Sequence, residues 1–362
     1  MLLILRLAVV AAALAAALAP IPPSLVERLY SGALYPAWQR AATALSNRVP
    51  FSLLDVLLVL VALRVVFILA RVAVPGKRTF AGSALGALVR LAALVAVVYL
   101  AFLASWGLNY RRPALASRLD YASGRATPDA AAALARRLAS GANGLHAAAH
   151  AGAAQGWYEV ASGLRKPFAQ VQGQVGAPGG AVPGRAKWSV LTYYFEPSGV
   201  SGMTDPFFLE VLVNQGLLPF ERPAVLAHEW AHLAGFADES EANFLGWLVC
   251  LQGPPTAQYS AHLAILWDLM PSLPRAERDR VARELAAGPR ADLRAIAERV
   301  AKTTPALRDA SWKVYDRYLR ANRVGAGVQS YEAALGLLLG TKMAPGWKPV
   351  RRQGSGGAGD GA

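Results

Sequence analysis

Three long apolar stretches dominate the first third of the chain, at residues 2–20, 53–74 and 84–108. Each has close to the roughly 20 residues that a helix needs to cross the hydrocarbon core of a bilayer. The stretches are rich in Ala, Leu and Val and carry few charges, which is unusual for buried helices of a soluble protein. The pattern therefore predicts about three transmembrane helices within residues 1–108.

Two features of these stretches leave alternatives open. Arg6 and the small residues at 17–19 also fit a cleavable signal peptide, although we expect a retained anchor. Arg64 lies deep in the second stretch and is costly there unless it faces another helix. Residues 24–50 carry aromatic residues and scattered Arg, which predicts a segment at the membrane interface.

Basic residues give conflicting signals about orientation. The short link between the second and third stretches contains three of them: Arg71, Lys77 and Arg78. The tendency of positive charges to stay inside predicts a cytoplasmic link and an extracytoplasmic domain after residue 108. The arginines at 111, 112 and 118 argue for the opposite orientation. We expect a multi-pass protein of the bacterial inner membrane with an extracytoplasmic domain.

The pattern changes at residue 109 to amphipathic segments. Alternation at 188–195 and 207–213 predicts strands, and the second could offer its edge to an extended peptide. Helical periodicity predicts further helices, at 223–232, 238–251, 260–269, 275–287, 291–301 and 305–321. The expected fold is N-terminal transmembrane helices followed by a mainly helical α+β domain at 109–350, with a Gly-rich disordered tail at 351–362.

Composition narrows the classes of partner and of metal site. Hydrophobic residues make up 54% of the chain, and its net charge is +14. No nucleic-acid-binding module accompanies the basic residues, so we expect the lipid bilayer as a partner and no nucleic acid. The single cysteine, Cys250, excludes an intrachain disulfide and every Cys-rich zinc framework, and it is expected to be buried.

The chemistry-bearing residues are concentrated at 228–243, which reads HEWAHLAGFADESEAN. His228 and His232 are four residues apart and so lie about 40° apart around a helix, where both imidazoles can reach one ion. Glu229 lies about 100° away and can lean over the same point as general base toward a zinc-activated water. The segment therefore predicts a zinc-dependent hydrolase, with Gly235 ending the helix.

A zinc site of this kind needs a third protein ligand, and three carboxylates follow the motif. Glu239 is the predicted ligand, because it shares a helix face with Asn243, which would brace a ligand histidine. Glu241 lies about 200° from Glu239 on that helix and is the less favoured alternative. Asp238 stays a minor candidate.

Other candidate residues are weaker. His146 and His150 form a second His-x-x-x-His pair, but no acidic residue lies near them in sequence, so we expect them to face solvent. His262 and Tyr259 could donate to a developing oxyanion, although buried or surface helix positions are equally ordinary for them. Glu210, the one charged residue of its predicted strand, is either a substrate contact or a solvated side chain.

The run 228–243 resembles the gluzincin-type metallopeptidases, which carry HExxH and a later ExxA(D/N). The chain is more closely similar to the bacterial membrane-protein family known as domain of unknown function 3810, through residues 106–113 (WGLNYRRP), 202–214 and 322–338. That resemblance implies membrane spans followed by a zincin-like domain. The gluzincin pattern implies His228, His232 and Glu239 as zinc ligands and Glu229 as general base. Asn243 stands where the commoner pattern has Asp, which implies a weaker brace.

These observations predict a membrane-anchored zinc metallohydrolase, a peptidase acting on peptide or protein substrates. The alternative is a non-catalytic metal-binding sensor or assembly factor with the same fold. The presence of Glu229 favours the enzyme, since a binding module has no need of a base. A protease with its motif inside the bilayer is disfavoured by the carboxylates that follow so closely.

Overall fold

The computed structural model describes residues 1–73, 80–151, 156–177, 180–322 and 330–352. The basic link between the second and third apolar stretches lies mostly outside these residues, as does the tail beyond residue 352. Within the described residues the chain is mainly helical and has few, short strands.

The N-terminal part consists of α1 (Leu2–Leu18), α2 (Pro23–Leu25), a π-helical segment (Val26–Leu34), α3 (Tyr35–Arg48), α4 (Leu53–Ala73) and α5 (Phe80–Ser105). Two of these helices are long and apolar enough to cross a bilayer, over Leu53–Val72 and Gly82–Ser105. A third candidate exists if α1 and the helix Pro23–Arg48, which meet at a bend of 109°, form one span. These helices are compatible with a membrane protein.

The segment expected at the membrane interface, residues 24–50, packs one side into the core of the molecule. Tyr35 is buried, and its hydroxyl donates to the carbonyl of Leu233 at 2.9 Å. The Gln39 amide makes two hydrogen bonds with the main chain of Val182. Tyr35 and Gln39 therefore bind main-chain groups of distant elements, while Trp38 of the same segment is exposed.

The remaining helices are α6 (Pro128–His150), α7 (Trp157–Gln174), α8 (Thr192–Ser198), α9 (Arg222–Leu233), α10 (Glu239–Leu251), α11 (Pro255–Leu269), α12 (Arg275–Glu284), α13 (Ala287–Ala301), α14 (Pro305–Ala321) and α15 (Ser330–Gly340). Helix α10 lies at the centre of the core and buries both Phe244 and Cys250, as expected for this thiol. Helix α9 packs against it, with the fully buried Trp230 donating its indole hydrogen to the carbonyl of Gly184.

Among the described residues, five short strands form two sheets: β1 (Ala186–Lys187), β2 (Gly202–Thr204), β3 (Val211–Val213), β4 (Met343–Ala344) and β5 (Lys348–Pro349). The larger sheet has the order β1-β3-β2, with β1 parallel and β2 antiparallel to β3. Strand β3 is central, so the prediction that its edge is open to a peptide is wrong. In the described sheet β2 is an edge strand, and it packs against α9.

The predicted strand at 188–195 is also wrong. Ser189 binds the carboxylate of Asp55 and accepts a hydrogen bond from the amide of Leu191, which turns the chain into helix α8. The strand predicted at 207–213 is shortened to β3, because the Asp205 carboxylate accepts the amides of Phe207 and Phe208 in a turn. Side-chain hydrogen bonds in these turns therefore override the β propensity of both segments.

Candidate metal centre

Helix α9 brings the two histidines of the motif together. Their Nε2 atoms are 3.1 Å apart, and the rings are nearly perpendicular. The helix ends at Leu233, and Gly235 follows with a φ of 81°, the left-handed conformation that glycine adopts at little cost. The predicted helix and its glycine stop are confirmed.

Helix α10 adds a carboxylate to this pair. Glu239 Oε2 lies 3.3 Å from Nε2 of His228, and Glu239 Oε1 lies 3.5 Å from Nε2 of His232. The two helices approach closely because Gly246 of α10 faces the start of the motif; a Cβ there would lie 2.9 Å from the His228 amide nitrogen. The three side chains could hold one metal ion.

The spacing of these side chains allows them to share one metal ion. Ligands bound about 2.0–2.1 Å from a tetrahedral zinc ion lie about 3.3–3.4 Å from one another. The two Nε2 atoms are 3.1 Å apart, and each lies 3.3 or 3.5 Å from one of the two Glu239 oxygens, which is close to that value. Two imidazoles and one carboxylate are also a donor set that zinc accepts. The residues present therefore fit a zinc ion.

The electrostatics of the cluster favour a positive charge between the ligands. Burial alone would raise the pKa of Glu239, but the neighbouring His232 and His228 hold it well below its usual range. Burial alone would lower the pKa of His232, but Glu239 and Glu229 raise it to about 9. A cation placed between these side chains can take the place of the proton that the carboxylates attract.

His232 is oriented by the main chain. Its Nδ1 lies 2.7 Å from the carbonyl oxygen of Phe236, which places a proton on Nδ1 and leaves Nε2 free for a metal. The brace predicted from Asn243 is not made: its Nδ2 and the Nδ1 of His228 are both buried without a hydrogen-bond partner in the described structure.

Glu229 is buried beside the cluster and outside the set of ligands. The Thr204 hydroxyl lies 2.8 Å from Glu229 Oε2 and 2.9 Å from its carbonyl oxygen. Gly202 makes room for this carboxylate, since a Cβ there would lie 2.8 Å from Oε1. Burial raises the pKa of Glu229, while His228, His232 and the Thr204 hydrogen bond oppose the shift. A buried carboxylate with a raised pKa is suited to accept and return a proton.

A tyrosine of α14 contacts Glu239, and two further tyrosines pack beside it. The hydroxyl of Tyr315, on α14, donates to Glu239 Oε1. Its ring stacks on Tyr318, which meets Tyr110 edge to face. A ligand carboxylate is thereby oriented by a residue 76 positions away in sequence.

The WGLNYRRP segment holds the C-terminal turn of α9. The Trp106 indole donates to the carbonyl of His232 at 3.2 Å, and Arg112 donates to the carbonyl of Gly235 at 2.6 Å. Together with the Tyr35 bond to Leu233, these contacts add side-chain donors to the main-chain carbonyls at the end of the helix. The segment that follows the last candidate span therefore positions His232.

The other two carboxylates near the motif have different roles. Asp238 caps α10, accepting the amide of Ser240 at 2.8 Å. Glu241 points away from the histidines and accepts the amide of Leu115 at 2.6 Å, and burial raises its pKa to about 7. Neither contributes to the three-ligand cluster in the described residues.

Glu210 is neither solvated nor aimed at a substrate, so both interpretations offered for it are wrong. It is buried and pairs with Lys187 at 2.5 Å. Its second oxygen accepts the amides of Leu53 and Leu54, which are the first residues of α4. Glu210 thus caps the N-terminus of a candidate membrane span, where a negative charge is favourable.

The two suggested oxyanion donors are engaged elsewhere. Tyr259 donates to Asp292 on α13, and His262 lies against Gly141 of α6. His150 is exposed as expected, whereas His146 is half-buried, and an acidic residue distant in sequence is their neighbour. Asp292 lies beside both, and the three side chains form a second group that could hold a metal ion.

Thr204, Tyr315 and Asp292 were missed by the sequence interpretation. Thr204 falls in the segment 202–214 that carries the family resemblance, which was the one available signal. Tyr315 and Asp292 lie on amphipathic helices with no motif around them. Their contacts depend on how distant helices pack, which periodicity does not report.

A protein-family model matches most of the chain, whereas the individual proteins and structures compared with it do not. No curated protein and no solved structure shows significant similarity to the chain. The family model described as Protein of unknown function (DUF3810) matches residues 30–339, which include α3, both long candidate spans and the whole three-ligand cluster. The chain therefore belongs to the DUF3810 family.

Proposed function

We propose that this protein is a membrane-anchored zinc-dependent hydrolase with a zincin-like centre, acting on peptide or protein substrates. One observation carries the proposal: three donor side chains, close enough to share one metal ion, lie beside a buried glutamate that is not part of the group. His228, His232 and Glu239 would hold the zinc ion. Zinc bound there would lower the pKa of a water molecule and polarise a carbonyl group.

The chain's own residues supply the proton transfers. Glu229 would take a proton from the attacking water and give it to the leaving amine. Thr204 holds the carboxylate in position through its hydroxyl. Strand β2, the edge strand that carries Thr204, offers main-chain groups to an extended peptide by strand addition. The same strand would then bind the peptide and, through Thr204, position the carboxylate that transfers the proton.

The location of the centre indicates where substrates approach. Trp106 follows α5 directly and contacts His232, while Glu210 caps the start of α4. The start of α4 and the end of α5 lie at the same membrane surface if the two helices span it antiparallel. We infer a centre close to the bilayer surface, on the extracytoplasmic side of a bacterial inner membrane. Membrane-attached peptides are the substrates that fit this position, and no nucleic acid is expected.

The competing function is a metal-binding sensor or assembly factor that performs no turnover. The buried Glu229, the glycine that admits its carboxylate and the hydroxyl that orients it favour hydrolysis. A sensor needs the three ligands but has no use for a base with a raised pKa.

The test measures zinc and hydrolysis in the full chain purified in detergent. His228→Ala and Glu239→Ala should each remove one zinc ion per chain relative to the wild type, while Glu241→Ala keeps the wild-type content. Glu229→Gln should retain zinc and lose about 10²–10⁴-fold in hydrolysis of a quenched peptide library, the usual contribution of a general base. Wild-type zinc content in Glu239→Ala, or unchanged turnover in Glu229→Gln, would remove the assigned roles.

A further inference from the structure

A second set of metal-ligating side chains joins α6 to α13. Nε2 of His150 lies 2.8 Å from Asp292 Oδ2, and Nε2 of His146 lies 3.7 Å from the same oxygen. The two imidazoles lie next to each other, with ring centroids 4.5 Å apart and ring planes tilted by 33°. The longer separation is beyond hydrogen-bond range, so a hydrogen bond explains the position of His150 but not that of His146.

The carboxylate of Asp292 is fixed from the interior of the molecule. Tyr259 is fully buried, and its hydroxyl donates to Asp292 Oδ2. The tyrosine ring also meets both imidazoles edge to face at 5.8 Å. Ligand carboxylates in metal sites are commonly oriented by such a hydrogen bond.

A glycine makes room for the outer histidine. Gly288, at the start of α13, lies against the ring of His146, and a Cβ there would be 2.4 Å from its Cε1 and Nε2 atoms. Any other residue at 288 would push the ring away from Asp292. The backbone of α13 thus accommodates a histidine that makes no short contact with its carboxylate.

We propose that His146, His150 and Asp292 form a second metal site, which binds Zn²⁺ or a similar divalent transition-metal ion and clamps α6 to α13. The two distances to Asp292 bracket the roughly 3.3 Å expected between ligands of a tetrahedral zinc ion. Two imidazoles favour transition metals over Ca²⁺ or Mg²⁺, which prefer oxygen ligands. The side chain of His150 is 40% exposed, so an ion can enter from solvent and keep water at its remaining position.

This site is separate from the proposed catalytic centre. Helix α11 contacts both: Tyr259 binds Asp292, while Asp268 lies within electrostatic reach of His228. Tyr259 and Asp268 are nine positions apart on α11, which is roughly 13 Å along the helix axis at about 1.5 Å per residue. One ion cannot bridge the two groups, so each can be tested without the other.

The experiment uses the full chain carrying His228→Ala and His232→Ala, which removes the first centre. The protein is stripped with a chelator and titrated in detergent with Zn²⁺ alone and with Co²⁺ alone. We expect one equivalent of saturable binding, visible Co²⁺ absorption bands and a higher melting temperature with metal. Adding His150→Ala or Asp292→Asn should abolish all three effects, and Tyr259→Phe should weaken Zn²⁺ binding about tenfold.

A glycine pair on the two helices provides a control that changes no ligand. Gly288→Ala should weaken Zn²⁺ binding by displacing His146, whereas Gly144→Ala on α6 should not, since a Cβ at 144 meets nothing within 4 Å. Circular dichroism of the metal-free variants checks that all of them fold alike. Absence of saturable binding in the His228→Ala, His232→Ala chain, or equal binding after His150→Ala and Asp292→Asn, would overturn the second site and leave the proposed hydrolase untouched.

Discussion

Thr204 and Glu229 join the edge of the larger sheet to the metal-ligand helix, with the threonine hydroxyl 2.8 Å from Glu229 Oε2. Thr204→Val keeps the shape of the side chain and removes this hydrogen bond. Since a hydrogen bond to a charged group contributes about 1.5–3 kcal/mol, we expect peptide hydrolysis to fall roughly tenfold to a hundredfold with zinc content unchanged.

Thr192→Val is the matched control for this loss. The Thr192 hydroxyl is also buried but has no hydrogen-bond partner in the described structure. Its removal should leave hydrolysis and zinc content at wild-type levels. Equal losses in the two variants would indicate a general packing defect and argue against orientation of Glu229 by Thr204.

Tyr315 is expected to tune zinc affinity through the carboxylate it binds. Tyr315→Phe leaves the ring stacked on Tyr318 but frees Glu239 Oε1. Loss of such an orienting hydrogen bond typically lowers metal affinity about 10- to 100-fold, which competition with a chromophoric chelator would measure. Tyr194→Phe removes a hydroxyl that bonds Ser311 on the same helix α14, and it should change nothing. Similar affinities in both variants would contradict the assigned role of Tyr315.

Replacing one partner of the ion pair between Lys187 and Glu210 should destabilise the folded protein. Both side chains are almost completely buried. Lys187→Met strands the Glu210 carboxylate in the interior, and we expect the free energy of unfolding to fall by about 3–5 kcal/mol. Thermal or urea unfolding in detergent would show this as a lower melting temperature or a lower urea concentration at the midpoint. Arg275→Met breaks the exposed pair with Asp279 and should have little effect.

Asp205 predicts a dependence of stability on pH. Burial raises the pKa of its carboxyl to about 7, against the hydrogen bonds from Phe207 and Phe208. The folded protein therefore holds this proton between about pH 4 and pH 7, where the unfolded chain has released it. The contribution of Asp205 to the free energy of unfolding is greatest at the acid end of that window. It falls as the pH rises, by at most about 1.4 kcal/mol per pH unit for one proton.

Asp205→Asn removes this titration and should flatten the pH dependence of the free energy of unfolding between about pH 4 and pH 7. Glu241, whose pKa burial also raises to about 7, titrates in the same window and remains in both proteins. The difference between the two slopes therefore isolates Asp205. Parallel pH profiles of the wild type and the variant would contradict the prediction.

Helical periodicity was sufficient to find the three ligands of the candidate centre. His228 and His232 lie one turn apart, and Glu239 opens the next helix after a glycine turn, so all three are local in sequence. The membrane-compatible helices α4 and α5 were predictable for the same reason, because length and hydropathy are properties of a single segment.

Contacts between distant segments could not be predicted in this way. Asp292 reaches His150 from 142 positions away, and Tyr315 reaches Glu239 from 76 positions away. Residues 188–195 have β propensity, yet the Asp55 carboxylate, 134 positions earlier, fixes Ser189 in a turn. Asn243 does not bind the His228 ring, because sharing a helix face with Glu239 does not determine the distance between the Asn243 side chain and that ring.

The end of α9 depends on residues that precede the HExxH motif by more than a hundred positions. Tyr35 and Trp106 each donate a hydrogen bond to a main-chain carbonyl at that end. Both residues come from the part of the chain that contains the candidate spans. A fragment beginning at Asn109 would expose these carbonyls and a large apolar surface at once. We expect that proteolytic removal of the N-terminal helices would disrupt the candidate metal centre instead of releasing a folded domain that retains it.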